Sequence, residues 1–280
     1  FGQRCTRRTF MASDAKDVMP KSRYYDMLDL SGRRVLITGA TAGIGERIAF
    51  RFAELHTELF LVGRRQEKLD SMKESLLAAG AKSVVGFAVD VTDKAAVEKM
   101  ASDMQFHADV VVNNAGKALG VHPADEMAYD ETHEMLDCNV MACMQLTQLF
   151  GVHMKKRGEG HMVYIGSVAG SDFYEGGAVY CATKAAINAY TMAYRMDVAN
   201  TPIRVTTISP GLVGNTEFSQ VRFSGDREKA AKVYADIVAL HPDDVADQVI
   251  YACTRPRHVQ IADIKCYATN QGHAKYSVQR

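Results

Sequence analysis

Tyr180 and Lys184 stand four residues apart in the run Y-C-A-T-K, and Ser167 lies thirteen residues before the tyrosine. Residues four apart on a helix share a face, so this spacing sets a phenol beside an ammonium. A tyrosine ordinarily titrates near pH ~10 and is a weak acid or base at neutral pH. A cation held next to it favours the phenolate and lowers that value. A serine hydroxyl at the same place can hydrogen-bond a carbonyl or alcohol oxygen. Together the three groups can move a proton on and off an oxygen, which is half of carbonyl–alcohol redox chemistry. Taken alone, Y-x-x-x-K equally fits a surface tyrosine and a solvated lysine, so its meaning depends on what stands upstream.

Upstream stand a strand, a glycine loop and a helix. Arg34 to Thr38 is a short apolar run of strand type. It leads into G-A-T-A-G-I-G, which contains Gly39, Thr41, Gly43, Ile44 and Gly45, and then into a helix with Ile44, Ile48, Phe52 and Leu55 on one side. Such a loop lets the backbone approach a pyrophosphate, and the helix N-terminus aims its N–H groups and dipole at the phosphates. The spacing is G-x-x-x-G-x-G rather than G-x-G-x-x-G. A glycine-rich turn of any α/β protein also fits it.

The next strand bears on which dinucleotide binds. Glu58 to Val62 ends at Gly63-Arg64-Arg65. A free ribose 2′-OH calls for Asp or Glu at this point, and none is present there. Two guanidinium groups suit a 2′-phosphate instead, which points to NADP(H) over NAD(H). The alternative is that the arginines simply open a solvated helix.

The chain resembles the short-chain dehydrogenase/reductase family from Gly32 to about Gly272. The resemblance rests on Thr38-Gly39-x-x-x-Gly43-Ile44-Gly45, Asp90-Val91-Thr92, Asn113-Asn114-Ala115-Gly116, Asn139, Ser167, Tyr180, Lys184 and Pro210-Gly211, in that order. Further stretches, N-N-A-G-K-A-L-G, T-E-F-S-Q-V-R-F, D-D-V-A-D-Q-V-I-Y-A and I-A-D with A-T-N-Q, resemble its NADP-dependent serine and 3-hydroxy acid dehydrogenase branch. That resemblance implies a catalytic set of Asn139, Ser167, Tyr180 and Lys184. Tyr180 would be the acid/base, Lys184 would also hold the nicotinamide ribose, Ser167 would steady the substrate oxygen, and Asn139 would anchor a water linking Lys184 to solvent. Cofactor contacts are implied for Gly39, Thr41, Gly43, Ile44, Gly45, Arg64, Arg65, Asp90, Val91, Asn113, Ala115, Gly116, Pro210, Gly211, Val213 and Thr216. The run P-G-L-V-G-N-T-E-F is one residue longer than is usual for the branch, which bears on Thr216. The implied reaction is hydride transfer between NADP(H) and the β-hydroxyl of small acids such as L-serine or L-allo-threonine. A broad NADPH carbonyl reductase is the alternative, and a dinucleotide-binding scaffold without chemistry is a further one.

Apolar runs at 34–38, 58–62, 83–89, 109–113, 161–165, 203–208 and 263–268 alternate with helical patterns at 43–55, 66–79, 94–105, 130–157, 179–200 and 243–254. Alternation of this kind predicts a single-domain, doubly wound parallel α/β sheet of Rossmann type with helices on both faces, spanning 32–280. The site residues then converge at strand C-termini. Residues 1–31 show no steady periodicity. Arg4, Arg7 and Arg8 near the start fit a targeting remnant, such as a mitochondrial one, and Met11 fits a native start.

Composition narrows the classes. Lys+Arg and Asp+Glu balance at 33 each, and no charge run suggests nucleic acid or an anionic membrane. No apolar stretch reaches a bilayer-spanning length. The six cysteines show no metal spacing and read as reduced thiols of an intracellular, cytoplasmic protein. For a substrate carboxylate the candidate partner is Arg222, in S-Q-V-R-F-S-G-D, with a solvated loop arginine as the alternative. Tyr174 and Asp172 could contact the substrate or hold their loop. The patterns at 130–157 and 179–200 are apolar on more than one side, which predicts a homo-oligomer, a tetramer first and a dimer second.

Overall fold

The computed structural model describes residues 27–235 and 237–274. The targeting reading of Arg4, Arg7, Arg8 and Met11 lies outside the described residues. Seven strands form one parallel sheet in the order β3-β2-β1-β4-β5-β6-β7. They are β1 Arg34–Thr38, β2 Glu58–Gly63, β3 Ser83–Ala88, β4 Val110–Asn113, β5 Gly160–Ile165, β6 Ile203–Pro210 and β7 Asp263–Cys266. The strand order reverses direction between β1 and β4, the switch point where the ends of parallel strands open a ligand crevice.

Side chains alternate along β1, and the alternation sorts them into two cores. Val35 and Ile37 pack with Ile48, Ala49 and Phe52 of α1 (Gly43–Ala53), Leu69 and Leu76 of α2 (Gln66–Ala78) and Val245 and Val249 of α9 (Pro242–Cys253). Leu36 on the other face packs with Val97 and Met100 of α3 (Lys94–Asp103), Leu146 and Phe150 of α5 (Ala142–Arg157) and Ile187 of α6 (Ala178–Asp197). Phe52 and Phe150 are fully buried. Truncating either to alanine would cost about 3–5 kcal/mol. At the end of α9, Arg204 from β6 donates to the carbonyls of Ala252, Cys253 and Arg255, satisfying orphan acceptors of the last turn.

The helical pattern at 130–157 is not one continuous α-helix. α4 (Tyr129–Leu136) passes through a π segment (Asp137–Met141) before α5 begins. The π segment contains Asn139, whose side chain is committed to groups outside its own helix. Two short helices that periodicity did not reveal, α7 (Phe218–Arg222) and α8 (Arg227–Lys232), lie in the connection after β6. Their short length hides any period.

Candidate active site

The C-terminal ends of the strands open onto a cleft of about 1040 Å³. At the β1/β4 switch point the Thr38 hydroxyl accepts from the amides of Asn114 and Ala115, both at 3.0 Å, and Asn114 donates its side-chain amide to the Thr38 carbonyl at 2.8 Å. These bonds fix the glycine loop against the Asn113–Gly116 turn. A Cβ on Gly45 would lie 2.2 Å from the Gly39 carbonyl oxygen, so only glycine lets α1 start this close to β1. The N-cap of α1, Ala42, supplies no side-chain cap, so the first-turn N–H groups are left to a ligand or solvent. A glycine cradle, an uncapped helix start and cationic side chains fit the pyrophosphate and 2′-phosphate of NADP(H).

Both arginines after β2 reach the cleft wall. Arg64 lies 3.8 Å from Asp90 and is well exposed. Burial pushes the Asp90 carboxyl up, but hydrogen bonds from the Thr92 amide and hydroxyl, with Arg64, hold it below its ordinary value. Arg65 donates to the Thr41 carbonyl and hydroxyl at 3.2 and 3.1 Å and pairs with Glu217 at 3.0 Å. Asn215 adopts φ +54, and Thr216 then packs over Gly43, with its methyl 3.1 Å from where a Cβ would sit. The long P-G-L-V-G-N-T turn thus still delivers Thr216 to the glycine loop.

At the other end of the cleft, Ser167 follows β5 and Tyr180 lies in the first turn of α6. The Ser167 hydroxyl oxygen accepts from the Ala169 amide at 3.1 Å, which leaves its proton to give to a neighbouring oxygen. It hydrogen-bonds the Tyr180 phenol. Lys184 is 6% exposed and spends one of its three donors on the Ile165 carbonyl at 2.9 Å. Its Nζ is 5.8 Å from the Tyr180 ring centroid. Burial pushes the Tyr180 phenol up to about 12, opposed by the Ser167 hydrogen bond and the Arg222 charge. The Lys184 ammonium hydrogen-bonds the Ile165 carbonyl in this structure. Burial lowers the Lys184 ammonium below its ordinary value.

Arg222 crosses the cleft. Its Nε donates to the Gly120 carbonyl at 3.0 Å, and its own carbonyl accepts from the Gly120 amide at 2.9 Å. The guanidinium carbon lies 5.4 Å from the Tyr174 ring centroid and 6.0 Å from that of Tyr180. Asp172 accepts a hydrogen bond from Tyr267, and Lys265 donates to Ser171 at 2.7 Å. Of the two readings of Asp172, the structure shows the one that holds the loop.

The cleft wall therefore brings together Ser167, Tyr180, Lys184, Tyr174 and Arg222 with Gly39, Thr41, Gly43, Ile44, Arg64, Arg65, Asp90, Val91, Ala115, Gly116, Pro210, Gly211, Val213 and Thr216. Gly45, Asn113 and Asn139 stand behind it. Asn113 is 2% exposed and reaches the Val163 carbonyl at 3.4 Å. Asn139 is 1% exposed and holds both main-chain groups of Lys117, a wall residue, at 2.8 Å. Sequence reasoning missed Glu217, Phe218 and Ala274 on the wall. Phe218 packs edge-on to Tyr180 with ring centroids 5.7 Å apart. The only signal was their place in motif-like runs after Pro-Gly and near the C-terminus. Among the described residues no group of three or more His, Cys, Asp or Glu could hold a metal, and no helix is long and apolar enough to cross a membrane.

The model of the short chain dehydrogenase family matches residues 33–227. The chain belongs to this family. An NADP-dependent 3-hydroxy acid dehydrogenase of Salmonella typhi is 42% identical over 249 residues, covering 88% of this chain and 99% of the relative. One from Schizosaccharomyces pombe is 35% identical over 254 residues, covering 89% and 98%. A solved serine dehydrogenase in its closed form, complexed with NADP+, superposes with a TM-score of 0.81 at 41% identity, covering 88% of this chain and 99% of that one. The Ser167, Tyr180 and Lys184 side chains lie on one cleft wall of this chain.

Proposed function

We propose that this chain is an NADP(H)-dependent oxidoreductase acting on the β-hydroxyl or β-carbonyl of small 3-hydroxy acids and amino acids such as L-serine or L-allo-threonine. The observation that carries the substrate class is Arg222, whose guanidinium lies 6.0 Å from the Tyr180 ring centroid on the same cleft wall. In a 3-hydroxy acid the hydroxyl oxygen and the carboxylate carbon are three bonds apart, roughly 3–4 Å. A molecule of that span can meet Tyr180 and Arg222 together.

NADP(H) supplies or accepts the hydride when bound. Tyr180 gives its proton to the forming alkoxide in reduction and takes it back in oxidation. Ser167 donates to the same oxygen and holds it in register with the phenol. Lys184 keeps a cation at the ribose end of the site, and Arg222 holds the carboxylate. Phe218 and Tyr174 narrow the cleft around the reacting carbon and exclude water.

The test is NADP+ reduction with L-serine, L-allo-threonine, 3-hydroxyisobutyrate, D-serine and neutral secondary alcohols. Higher kcat/KM on the acids supports the reading. Equal values on neutral alcohols would replace it with a broad carbonyl reductase.

A homo-oligomer, a tetramer first, is proposed from the outer faces of α5 and α6, where Val152, Met192 and Met196 are 51%, 58% and 77% exposed. Light scattering at micromolar concentration tests it, and a monomer counts against it. The five described cysteines are free, which supports a reducing compartment such as the cytoplasm.

A further inference from the structure

We propose that Glu217 sets how strongly this enzyme prefers NADPH to NADH, by holding the guanidinium that a 2′-phosphate requires. The inference rests on the NADP(H) reading above. No acid stands directly after Gly63 in the sequence, yet one arrives in space. Glu217 immediately precedes α7 and pairs with Arg65 at 3.0 Å. The other terminal nitrogen of Arg65 is held by the Thr41 carbonyl and hydroxyl at 3.2 and 3.1 Å. Arg65 therefore joins three things: the end of β2, the glycine loop and the segment that covers the cleft.

The consequence follows from charge. A phosphate and a carboxylate compete for one guanidinium, and as like charges they repel. A neutral 2′-OH does not compete with the carboxylate and can donate to it. Glu217 thus weakens NADPH binding and leaves NADH untouched or aided, which narrows the discrimination that Arg64 and Arg65 provide. Arg64 makes a longer pair, 3.8 Å to Asp90, and Asp90 is also held by Thr92. Glu217 is the closer competitor. Both partners of its pair are about half exposed, at 42% and 52%, so water and salt screen the effect. Its size is roughly three- to tenfold in Kd.

The experiment titrates the full chain with NADPH and with NADH and reads reduced-nicotinamide fluorescence. It compares the unmodified protein with Glu217→Gln and Glu217→Lys. The expected result is an NADPH Kd lowered roughly three- to tenfold in Glu217→Gln, and further in Glu217→Lys, with no gain for NADH. The NADPH gain should shrink as salt rises. Equal shifts for the two cofactors, or no shift for either, would overturn the proposal. An unmodified protein that already binds both equally would instead fail the NADP(H) reading, and the inference would fall with it.

Discussion

The side-chain oxygen of Gln271 accepts a hydrogen bond from the Leu212 amide at 2.9 Å and lies 2.2 Å from the point a Cβ on Gly211 would occupy. Gln271 is 6% exposed, and its amide nitrogen donates to the His273 carbonyl at 3.1 Å. One buried side chain therefore joins the turn after β6 to the C-terminal segment that brings Ala274 to the cleft.

Three substitutions test this tie. Gly211→Ala must displace Gln271, which has little room to move, and should cost about 1–3 kcal/mol. Gln271→Leu leaves the Leu212 N–H without its partner and should cost about 1–3 kcal/mol. Gln271→Glu keeps the acceptor but sets a buried carboxylate oxygen against the His273 carbonyl, so it should lose at least as much. Urea unfolding followed by circular dichroism measures all three. A Gln271→Leu protein as stable as the unmodified chain would show that the bond contributes little.

Tyr180→Phe should lower turnover roughly 10²–10⁴-fold. NADPH affinity should stay within about twofold, because the lost hydroxyl acts on the reacting oxygen. The pH dependence has a sign set by burial. The phenol is pushed up to about 12, so at neutral pH nearly all of it is protonated. Oxidation needs the phenolate, whose fraction climbs roughly tenfold per pH unit below that value. Reduction needs the phenol, which is already fully populated. kcat/KM for L-serine oxidation should therefore rise from about pH 7 to about pH 9 while the reverse reaction does not. A flat oxidation profile would count against Tyr180 as the base.

Much of this architecture was legible because the strands are short apolar runs, and most strand C-termini carry a marker, such as Gly39, Gly63 or Ser167. Apart from α7 and α8, which are too short to show a period, what was not legible depends on contacts between residues distant in sequence. Glu217 reads as an ordinary loop acid until it is seen beside Arg65, 152 residues away. Asn139 reads as a helix residue, yet its helix widens into a π segment around it and its amide serves Lys117 and Thr183. The lysine four residues after Tyr180 does share its helix face, but spacing along a helix does not say which acceptor an ammonium will choose. Ile165 is the one it chooses.

Asn139→Ala removes three hydrogen bonds at once: from the Lys117 amide, to the Lys117 carbonyl and to the Thr183 hydroxyl, at 2.8, 2.8 and 3.0 Å. The main-chain groups of Lys117 are left without that partner, and the loss should be roughly 2–4 kcal/mol. Because Lys117 lines the cleft, NADPH binding should weaken along with stability. Asn139→Asp keeps the acceptor for the Lys117 amide but loses both donated bonds and sets a buried carboxylate oxygen against the Lys117 carbonyl, so it should be no more stable than Asn139→Ala. Thermal unfolding and NADPH titration check the order. Asn139→Ala with unmodified stability would mean that the π segment holds itself.

Arg222→Leu addresses the substrate carboxylate. The arginine is anchored by Nε to the Gly120 carbonyl and hydrogen-bonds Tyr174, so its fork is held in place above the Tyr180 ring before substrate arrives. Loss of that fork should reduce kcat/KM for L-serine by roughly 2–4 kcal/mol, much of it from leaving a carboxylate unpaired in the cleft. The same change also removes the Gly120 tie, which affects every substrate. The informative quantity is therefore the difference between L-serine and a neutral alcohol of similar size. That difference should carry most of the loss. Arg222→Lys keeps a charge without the bidentate fork, and should recover part of the activity on the acid while changing little on the alcohol. Equal losses on both substrates in Arg222→Leu would show that Arg222 only braces the cleft against Gly120. The carboxylate would then be held by another cation on the same wall.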